Sequence, residues 1–350
     1  MLCAGEGTRL RPLSFSTPKH LVPVANRPVI CWILDALVRA GIDEVAIVVG
    51  PSTERAFRAA FAEVSTSVQL EFVVQRQPRG IAHAVQCAKG FVGGENFLLY
   101  LGDNLFQNGV KGVVDSFCQD EAAASLAIVR VDHPERFGVA VLEKGAVQRL
   151  VEKPRDDISP WAIAGAYVLN PAVFDAIDHI VPSQRGELEI TDALQWLLGR
   201  DLHVQACPVT GWWKDVGLPQ DLIRANSLLI QEREASRDGS VDSQSRIEGH
   251  VLLSEGCRIA RSVIRGPCVI GAGARVEDSS VGPNVALGER CVVCRSSIGD
   301  SLILDDARIS DVECLANSVV GQRCRLDYIA TRTELALLIG DDCTVSGKGN

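Results

Sequence analysis

The chain has 350 residues, of which 44 are acidic and 35 are basic, so its formal net charge is −9. This balance excludes nucleic acid and anionic membranes as expected partners, because a phosphate-bearing surface requires a basic face. The hydrophobic content of 47% includes no run of about 18 apolar residues, the length that a membrane span needs, so the sequence predicts a soluble cytoplasmic protein of two domains.

The first candidate functional motif is the loop Ala4-Gly5-Glu6-Gly7-Thr8-Arg9, which follows Leu2 and Cys3. Its glycines let backbone N–H groups approach a phosphate. Arg9 is suited to bidentate contact with phosphate oxygens, and Lys19 adds a second cation further along the chain. The run predicts a nucleoside triphosphate site, with a glycine-rich surface turn as the alternative.

Helix and strand patterns alternate after this loop. Apolar residues at helical spacing over 28–40 precede the aliphatic run 45–49, which is typical of a buried parallel strand. The alternation continues with helix 53–62, strand 68–74, helix 81–89 and strand 97–101. This pattern predicts an α/β fold with a doubly wound, Rossmann-like mixed sheet, which binds ligands beyond the carboxyl ends of its strands.

Two polar loops follow strands of this predicted sheet. In residues 75–80, the Gln75 amide can donate to a base carbonyl and accept from a ring N–H, although an exposed loop glutamine is an equal alternative. Gly80 permits a close backbone approach. Asp103 offers a carboxylate for Mg²⁺, a hard cation that prefers carboxylate and phosphate oxygens, with a helix-capping role as the alternative.

Shorter strands are predicted at 123–131, 138–142, 146–151 and 162–168. Gly138 inside a strand permits close approach of a ligand or marks a bulge. Glu152 and Lys153 end the third of these strands. Glu152 can accept from hydroxyl groups and Lys153 can bind a phosphate, and a surface ion pair is the alternative.

Two later motifs carry further acids. Residues 186–192 open the predicted helix 190–198 with acidic residues near its N-terminus, where the helix dipole favours them, so capping explains much of this motif. Residues 212–217 supply a carboxylate at Asp215. An amphipathic helix over 219–234 closes the domain.

The residues from 235 to 245 are small and polar, a composition typical of a linker. Beyond them an aliphatic residue recurs every five or six positions, at Ile264, Ile270, Val276, Val281, Leu287, Val293, Ile298, Leu304 and Ile309. This hexapeptide spacing predicts stacked triangular coils and resembles a left-handed parallel β-helix. The predicted organisation is a catalytic domain 1–235, a linker 236–245 and a β-helix 246–350. Because the only histidine of the tail, His250, precedes the clear coils, we expect a scaffold or oligomer-contact role and not acyl transfer.

These motifs resemble those of the sugar-1-phosphate nucleotidylyltransferases. The likeness rests on the opening run 2–12, on Leu101-Gly102-Asp103-Asn104, on Glu152-Lys153-Pro154 and on residues 186–192. Within the family it is strongest to the thymidylyltransferases that carry a β-helical tail. It implies transfer of a thymidylyl group from dTTP to glucose 1-phosphate with Mg²⁺ as cofactor. Since family members carry more apolar residues before the loop, we expect a short first strand and a native start upstream of Met1.

The resemblance assigns roles residue by residue. The residues that it implies are Arg9, Lys19 and Lys153 for catalysis; Leu2, Ala4, Gly5, Gly7, Thr8, Gln75 and Gly80 for the nucleotide; Asn104, Gly138, Glu152, Ile163 and Glu187 for the sugar; and Asp103 and Asp215 for the metal. Two alternatives stay open. One is a UTP- or GTP-dependent enzyme of the same family, and the other is a non-catalytic assembly or sensing subunit.

Overall fold

The computed structural model describes residues 1–62, 67–120, 122–330 and 333–347. The chain divides into two compact units, which are described separately. The first contains Met1–Glu6 and Ile30–Asp215, and the second contains Gly7–Val29 and the chain from Val216 onward. Across the described ranges, none of the helices combines the length and the apolar character that a membrane span requires.

The predicted helices 28–40, 53–62, 81–89, 190–198 and 219–234 each correspond to an α-helix of these ranges, whereas the helices Lys89–Val92, Lys111–Asp120 and Ala172–His179 were not predicted. The α-helices are α1 (Val29–Arg39), α2 (Glu54–Ala62), α3 (Ile81–Cys87), α4 (Lys89–Val92), α5 (Lys111–Asp120), α6 (Ala172–His179), α7 (Ile190–Leu198) and α8 (Pro219–Glu232). The strands as far as Asp215 are β1 (Leu2–Cys3), β2 (Pro23–Val24), β3 (Arg27–Pro28), β4 (Glu44–Val49), β5 (Gln69–Val74), β6 (Phe97–Tyr100), β7 (Asn104–Phe106), β8 (Ala124–Arg130), β9 (Gly138–Glu143), β10 (Ala146–Glu152), β11 (Trp161–Leu169), β12 (Val204–Pro208) and β13 (Trp213–Asp215).

The first unit is built on three sheets. A parallel sheet has the strand order β1-β4-β5, and its short first strand pairs Leu2 with Val48 and Cys3 with Val49. A mixed sheet has the order β10-β9-β11-β8-β12, with β6 paired to β11. The third sheet is the antiparallel pair of β7 and β13. The predicted Rossmann-like α/β fold with a mixed sheet is confirmed.

The core of this unit lies between the mixed sheet and helices α6 and α7. Its largest fully buried side chains include Leu126 and Ile128 of β8, Leu169 of β11, and Ile190 and Leu194 of α7. In the parallel sheet, β4 is buried from its second residue to its last, as expected of a strand that is covered on both faces. This packing fixes the strand ends at which the polar loops stand.

In the second unit, the hairpin of β2 and β3 packs on α8. The hairpin turn residues Ala25 and Asn26 both have positive φ, at 49° and 59°. The Ala25 amide donates to Oδ1 of the fully buried Asn226 at 2.8 Å, and Arg233 donates to the Ala25 carbonyl at 2.9 Å. The hairpin is therefore held by α8 and by the residue that follows it.

The rest of this unit is a parallel β-helix. Its strands are β14 (Ser240–Val241), β15 (Arg246–Glu248), β16 (Val251–Leu253), β17 (Arg258–Ala260), β18 (Val263–Arg265), β19 (Cys268–Ile270), β20 (Arg275–Glu277), β21 (Ser280–Val281), β22 (Val285–Leu287), β23 (Val292–Cys294), β24 (Ser297–Ile298), β25 (Leu302–Ile303), β26 (Arg308–Val312), β27 (Val319–Val320), β28 (Arg325–Ile329), β29 (Leu338–Ile339) and β30 (Thr344–Ser346). They form three parallel sheets, which are the faces of the coil.

The aliphatic residues predicted to stack are all buried, which confirms the interior of the coil. One position of the repeat differs from the prediction. Leu287 pairs with Ile303 and not with Leu304, although both are buried. Arg275 and Val292 are in-register partners, as are Val292 and Arg308, so the second coil is one residue shorter than the first. The predicted spacing of five or six residues fits both Ile303 and Leu304 and could not decide between them.

Three columns of residues recur from coil to coil. At one corner, hydroxyls of Ser245, Ser262, Ser279 and Ser296 each accept from a backbone amide of the next coil. On the outside, arginines pair with acids of the next coil, as Arg290 does with Asp306 at 2.8 Å. Inside, backbone hydrogen bonds between neighbouring coils align Cys257, Ala274, Cys291, Ala307 and Cys324.

Candidate functional site

Gly7 belongs to the part of the glycine-rich loop that lies in the second unit, and residues of the same unit hold it in place. Gly7 has φ +64°, and a Cβ there would lie 3.1 Å from Cβ of Lys19, so the lysine stem crosses the glycine. The Gly7 carbonyl accepts from the Leu10 amide at 2.9 Å and from the Ser14 hydroxyl at 2.8 Å. The structure brings Gly7 and Lys19 together, and it leaves Arg9 exposed, as it does the neighbouring Thr8.

The predicted nucleotide residues of the first unit stand at the carboxyl ends of the parallel strands. Ala4 and Gly5 directly follow β1, and the Ala4 carbonyl lies 3.4 Å from the place that a Cβ on Gly50 would take, just beyond β4. Gln75 directly follows β5, and its backbone amide donates to the Val49 carbonyl at 2.9 Å. This edge of an open α/β sheet is where ligands bind.

Gly80 sits where no side chain would fit. Its φ is +101°, and a Cβ would lie 2.5 Å from the Leu188 carbonyl oxygen and 3.1 Å from Cβ of Glu187. The Leu188 amide donates to the Arg79 carbonyl at 2.8 Å, and the Leu188 carbonyl accepts from Ala82 at 3.0 Å. The loop 75–80 and the motif 186–192 therefore pack directly on one another, a contact that local sequence patterns do not reveal.

The Gln75 side chain is only 5% exposed, so it is not a surface loop glutamine. Its Nε2 lies 3.2 Å from the Gly80 carbonyl oxygen and 2.9 Å from Nδ1 of His83. The Gly80 carbonyl can only accept, so one N–H of the amide is directed at it, and the other faces His83. Donation from Gln75 to a base carbonyl, which the sequence predicts beside acceptance from a ring N–H, would require one of these contacts to break.

The two predicted metal ligands lie at one end of the strand pair β7 and β13, Asp103 directly before β7 and Asp215 as the last residue of β13. In the antiparallel pairing of β7 and β13, Asn104 stands opposite Asp215. Asp103 is the residue before Asn104, whose Nδ2 donates to Oδ1 of Asp103 at 2.8 Å. The Oδ1 atom of Asp215 is buried. Asp103 and Asp215 are remote in sequence but are brought close together by this pairing.

This donor set suits a divalent ion that takes part of its coordination from elsewhere. Within the described residues there is no group of three or more His, Cys, Asp or Glu side chains that could hold a metal. Mg²⁺ is commonly held by one or two carboxylates together with substrate phosphates and water. Asp103 and Asp215 therefore fit that ion, because two carboxylates suffice when a nucleotide supplies the remaining oxygens.

Asn104 is fixed by three neighbours that sequence reasoning missed. Trp213 Nε1 donates to the side-chain oxygen Oδ1 of Asn104 at 2.8 Å. The Tyr100 hydroxyl donates to the backbone carbonyl of Asn104 at 2.9 Å. Gly165 has φ +67°, and a Cβ there would lie 2.6 Å from Oδ1 of Asn104. The amide is 3% exposed. Its orientation, and with it that of Asp103, is set by the surrounding strands.

A second cluster joins three of the predicted sugar residues. Gly138 pairs with Glu152 across β9 and β10. A Cβ on Gly138 would lie 2.8 Å from Oγ1 of Thr191, 3.1 Å from Oε2 of Glu152 and 3.4 Å from Cδ1 of Ile163. Thr191 also donates to Oε2 of Glu152 at 2.8 Å. Because Gly138 has no side chain, these groups pack directly against its backbone.

Arg185 is a charged residue of this region that the sequence reasoning did not single out. Its guanidinium lies 3.5 Å from Glu152, 3.1 Å from Glu187 and 3.4 Å from Glu189. Lys153 Nζ is 3.8 Å from the same Glu152 carboxylate and is 41% exposed. The position of Arg185, directly before the motif 186–192, is the signal that could have identified it.

The acids around Arg185 influence one another. Burial raises the pKa of Glu189, the Ser183 hydroxyl that donates to it lowers the pKa, and the nearby charge of Glu152 raises it again. Burial and Glu152 likewise raise the pKa of Asp192. These directions mark a crowded acidic region in which the positive charge of Arg185 offsets part of the repulsion.

Direct contacts link the clusters of the first unit. The rings of Phe137, which precedes Gly138, and Trp213, which holds Asn104, meet edge-on with centroids 5.3 Å apart. Arg185 joins Glu187 to Glu152. The base loop, the sugar cluster and the acid pair therefore form one connected region within this unit.

Comparisons with known proteins identify the family of the chain. The profile of the family described as "Nucleotidyl transferase" matches residues 1–232, and that described as "GMPPB C-terminal domain" matches 264–348. The low-salt glycan biosynthesis nucleotidyltransferase Agl11 of Haloferax volcanii is 41% identical over 73% of this chain and 72% of its own. A glucose-1-phosphate thymidylyltransferase of Streptomyces griseus is 40% identical over 75% and 74%. The crystal structure of a UDP-glucose pyrophosphorylase with UDP-glucose aligns over 66% of this chain and 97% of its own, with a TM-score of 0.61 and 26% identity.

Proposed function

Because the chain belongs to the nucleotidyl transferase family, we propose that it transfers a thymidylyl group from dTTP to glucose 1-phosphate, forming dTDP-glucose and pyrophosphate. The observation that carries the enzymatic part of this proposal is the β7–β13 pairing. It brings Asn104, the neighbour of Asp103, opposite Asp215, which supports a cation shared by the two acids. The name of the Streptomyces griseus relative supports the choice of substrates.

The chemistry is a displacement at the α-phosphorus of the nucleotide. An oxygen of the sugar phosphate forms a new bond to that phosphorus, and the bond to the oxygen that bridges to the β-phosphate breaks. The electron pair leaves with pyrophosphate. Since the sugar phosphate is already an anion, no side chain has to remove a proton, and the barrier is the approach of two anions in line. The protein therefore contributes mainly positive charge and position.

The charged residues would divide this work. Asp103 and Asp215 would hold Mg²⁺, which when bound supplies positive charge to the α-phosphoryl oxygens. Lys153 orients and neutralises the attacking phosphate, and Arg9 and Lys19 bind the triphosphate and the departing pyrophosphate. The backbone of the glycine-rich loop, from Leu2 to Thr8, would support the phosphates.

The uncharged and acidic residues would hold the two organic parts. Gln75 and Gly80 contact the base. The sugar would lie beside Gly138, with hydroxyls that donate to Glu152 and contact Asn104, while Ile163 bounds the pocket. Thr191 and Arg185 keep Glu152 oriented, and Glu187 closes the same side.

A uridylyl transfer is the second candidate, favoured by the likeness to the UDP-glucose pyrophosphorylase structure. Thymine and uracil differ by one methyl group, which is worth only about 1–3 kcal/mol of discrimination. We therefore expect activity with both nucleotides and a preference for dTTP.

Pyrophosphate release tests the proposal. The assay compares dTTP, UTP, GTP and CTP with several sugar 1-phosphates, with and without Mg²⁺. The expected result is release that needs Mg²⁺ and is fastest with dTTP and glucose 1-phosphate. Lys153→Met should lower the rate about 100-fold, whereas Lys144→Met, in an exposed turn, should not change it. Release by none of the combinations contradicts the enzyme, and a preference for UTP contradicts the thymidylyl assignment.

A further inference from the structure

The nitrogen of the Gln75 side chain lies within hydrogen-bond distance of two protein groups, the Gly80 carbonyl at 3.2 Å and His83 Nδ1 at 2.9 Å. A carbonyl oxygen can only accept, so the atom that faces Gly80 must be the amide nitrogen. The second N–H of that nitrogen points at the imidazole. Nδ1 of His83 must then be its unprotonated nitrogen, with the proton on Nε2.

Both acceptors are held in place. Gly80 packs against Leu188, and its carbonyl also accepts from the Ala84 amide at 3.2 Å. His83 lies on the first turn of α3, and its pKa is lowered by burial and by the nearby charge of Arg79, against a backbone hydrogen bond at Gln77 that raises it. The neutral imidazole is therefore the prevailing form at neutral pH, and it keeps Nδ1 as an acceptor.

We propose that His83 is a positioning residue that determines base specificity: by accepting from Nε2 of Gln75, it leaves Oε1 as the only atom of that amide available to a nucleobase. This inference rests on the proposed function, in which Gln75 contacts the base.

An amide oxygen in this position distinguishes bases by whether the ring nitrogen that faces it carries a proton. It accepts from N3–H of thymine and uracil and from N1–H of guanine. At N3 of cytosine and N1 of adenine it would meet a lone pair, and neither atom would gain a partner. The site should therefore accept dTTP, UTP and, where size allows, GTP, and it should reject CTP and ATP.

The test compares the wild type with His83→Leu and His83→Asn. We measure kcat and KM for dTTP and CTP with glucose 1-phosphate, together with the melting temperature of each variant. The wild type should prefer dTTP by at least about 100-fold in kcat/KM, since an unmatched polar contact is a strong source of rejection. Leucine cannot accept, so one N–H of Gln75 becomes available to N3 of cytosine.

In His83→Leu the preference should fall about tenfold, through KM, with kcat for dTTP within about twofold of the wild type. His83→Asn should restore the preference, because its Oδ1 can accept the same hydrogen bond. An unchanged preference in His83→Leu overturns the inference. So does an equal loss in both variants that parallels a fall in melting temperature.

The outcomes separate this inference from the function on which it rests. A wild type that uses dTTP and CTP equally overturns the role of His83 and leaves the transferase standing. If no nucleotide gives pyrophosphate, the proposed function fails. Calorimetry with dTTP and CTP then decides the inference, which is supported by tighter binding of dTTP that His83→Leu abolishes and overturned by equal binding.

Discussion

The two units differ in how often a stabilising contact is repeated. In the first unit each contact of the candidate site is made once: Trp213 donates to Asn104, and Thr191 donates to Glu152. In the β-helix the contacts recur, as in the serine column, where four hydroxyls each accept from the next coil. A substitution in the first unit therefore removes a unique group, whereas one in the β-helix removes one member of a series.

The largest effect is expected for the acid pair. Asp215→Asn keeps the shape of the side chain and removes the charge that would bind the divalent ion, so kcat should fall about 1,000-fold with little change in melting temperature. Steady-state kinetics over a range of Mg²⁺ concentrations measures this.

The matched control for that prediction is Asp115→Asn, an exposed acid paired with Lys111 on α5, which should leave kcat unchanged. Wild-type kinetics in Asp215→Asn would mean that the strand pair β7–β13 does not hold the metal.

Gly80→Ala should destabilise the first unit by about 3 kcal/mol, because the residue has φ +101° and the added Cβ would meet the Leu188 backbone at 2.5 Å. Denaturant unfolding measures the change. Gly90→Ala is the control, since Gly90 lies in α4 with nothing within 4 Å of the added carbon, and it should be neutral or slightly stabilising. Equal effects at the two glycines would contradict the close packing of the two motifs.

Within the repeated columns, Ser279→Ala should cost about 1–3 kcal/mol, because it removes the acceptor of the buried Ser296 amide. Ser280→Ala, whose hydroxyl accepts only from the exposed Arg265 side chain among the hydrogen bonds described, should cost less. Thermal unfolding of both variants measures the difference. A larger loss in Ser280→Ala would show that the column is not what aligns the coils.

The smallest effect is expected for the external ion pairs. Arg290 lowers the pKa of Asp306, so the pair stabilises the fold above the ordinary pKa of an aspartate, about 3.9, and this contribution is lost as the pH falls through the lower folded value. Arg290→Met should therefore be slightly less stable than the wild type at pH 7 and equal to it near pH 2. Chemical unfolding at both pH values measures this, and a difference that persists at acid pH would contradict the electrostatic origin.

The fold could be predicted from sequence because hydrophobic periodicity is a local property. The aliphatic run 45–49 and the recurring aliphatic residues of the tail were predicted to be buried from their own sequence patterns, and they are buried. The spacing of five or six residues could not show that Ile303 and not Leu304 pairs with Leu287, because both residues are aliphatic and both fit that spacing.

The candidate site was less accessible to such reasoning. Asp103 and Asp215 could be singled out as acids in motifs, but their positions at one end of a strand pair depend on register between remote segments. His83 and Thr191 were missed for the same reason, since each acquires its significance from a partner that lies elsewhere in the chain. The sequence likewise did not indicate that the Gln75 amide lies against Gly80 and His83.

The cysteines of the inner column, Cys257, Cys291 and Cys324, can be used to measure how the β-helix unfolds. Burial raises the pKa of Cys291 to about 12 and that of Cys324 to about 11, so almost none of either thiol is in the reactive thiolate form near neutral pH. An alkylating reagent can therefore modify these positions only after their coils have separated. Mass spectrometry of alkylated peptides over time would give the order in which successive turns of the coil come apart, without the introduction of any label.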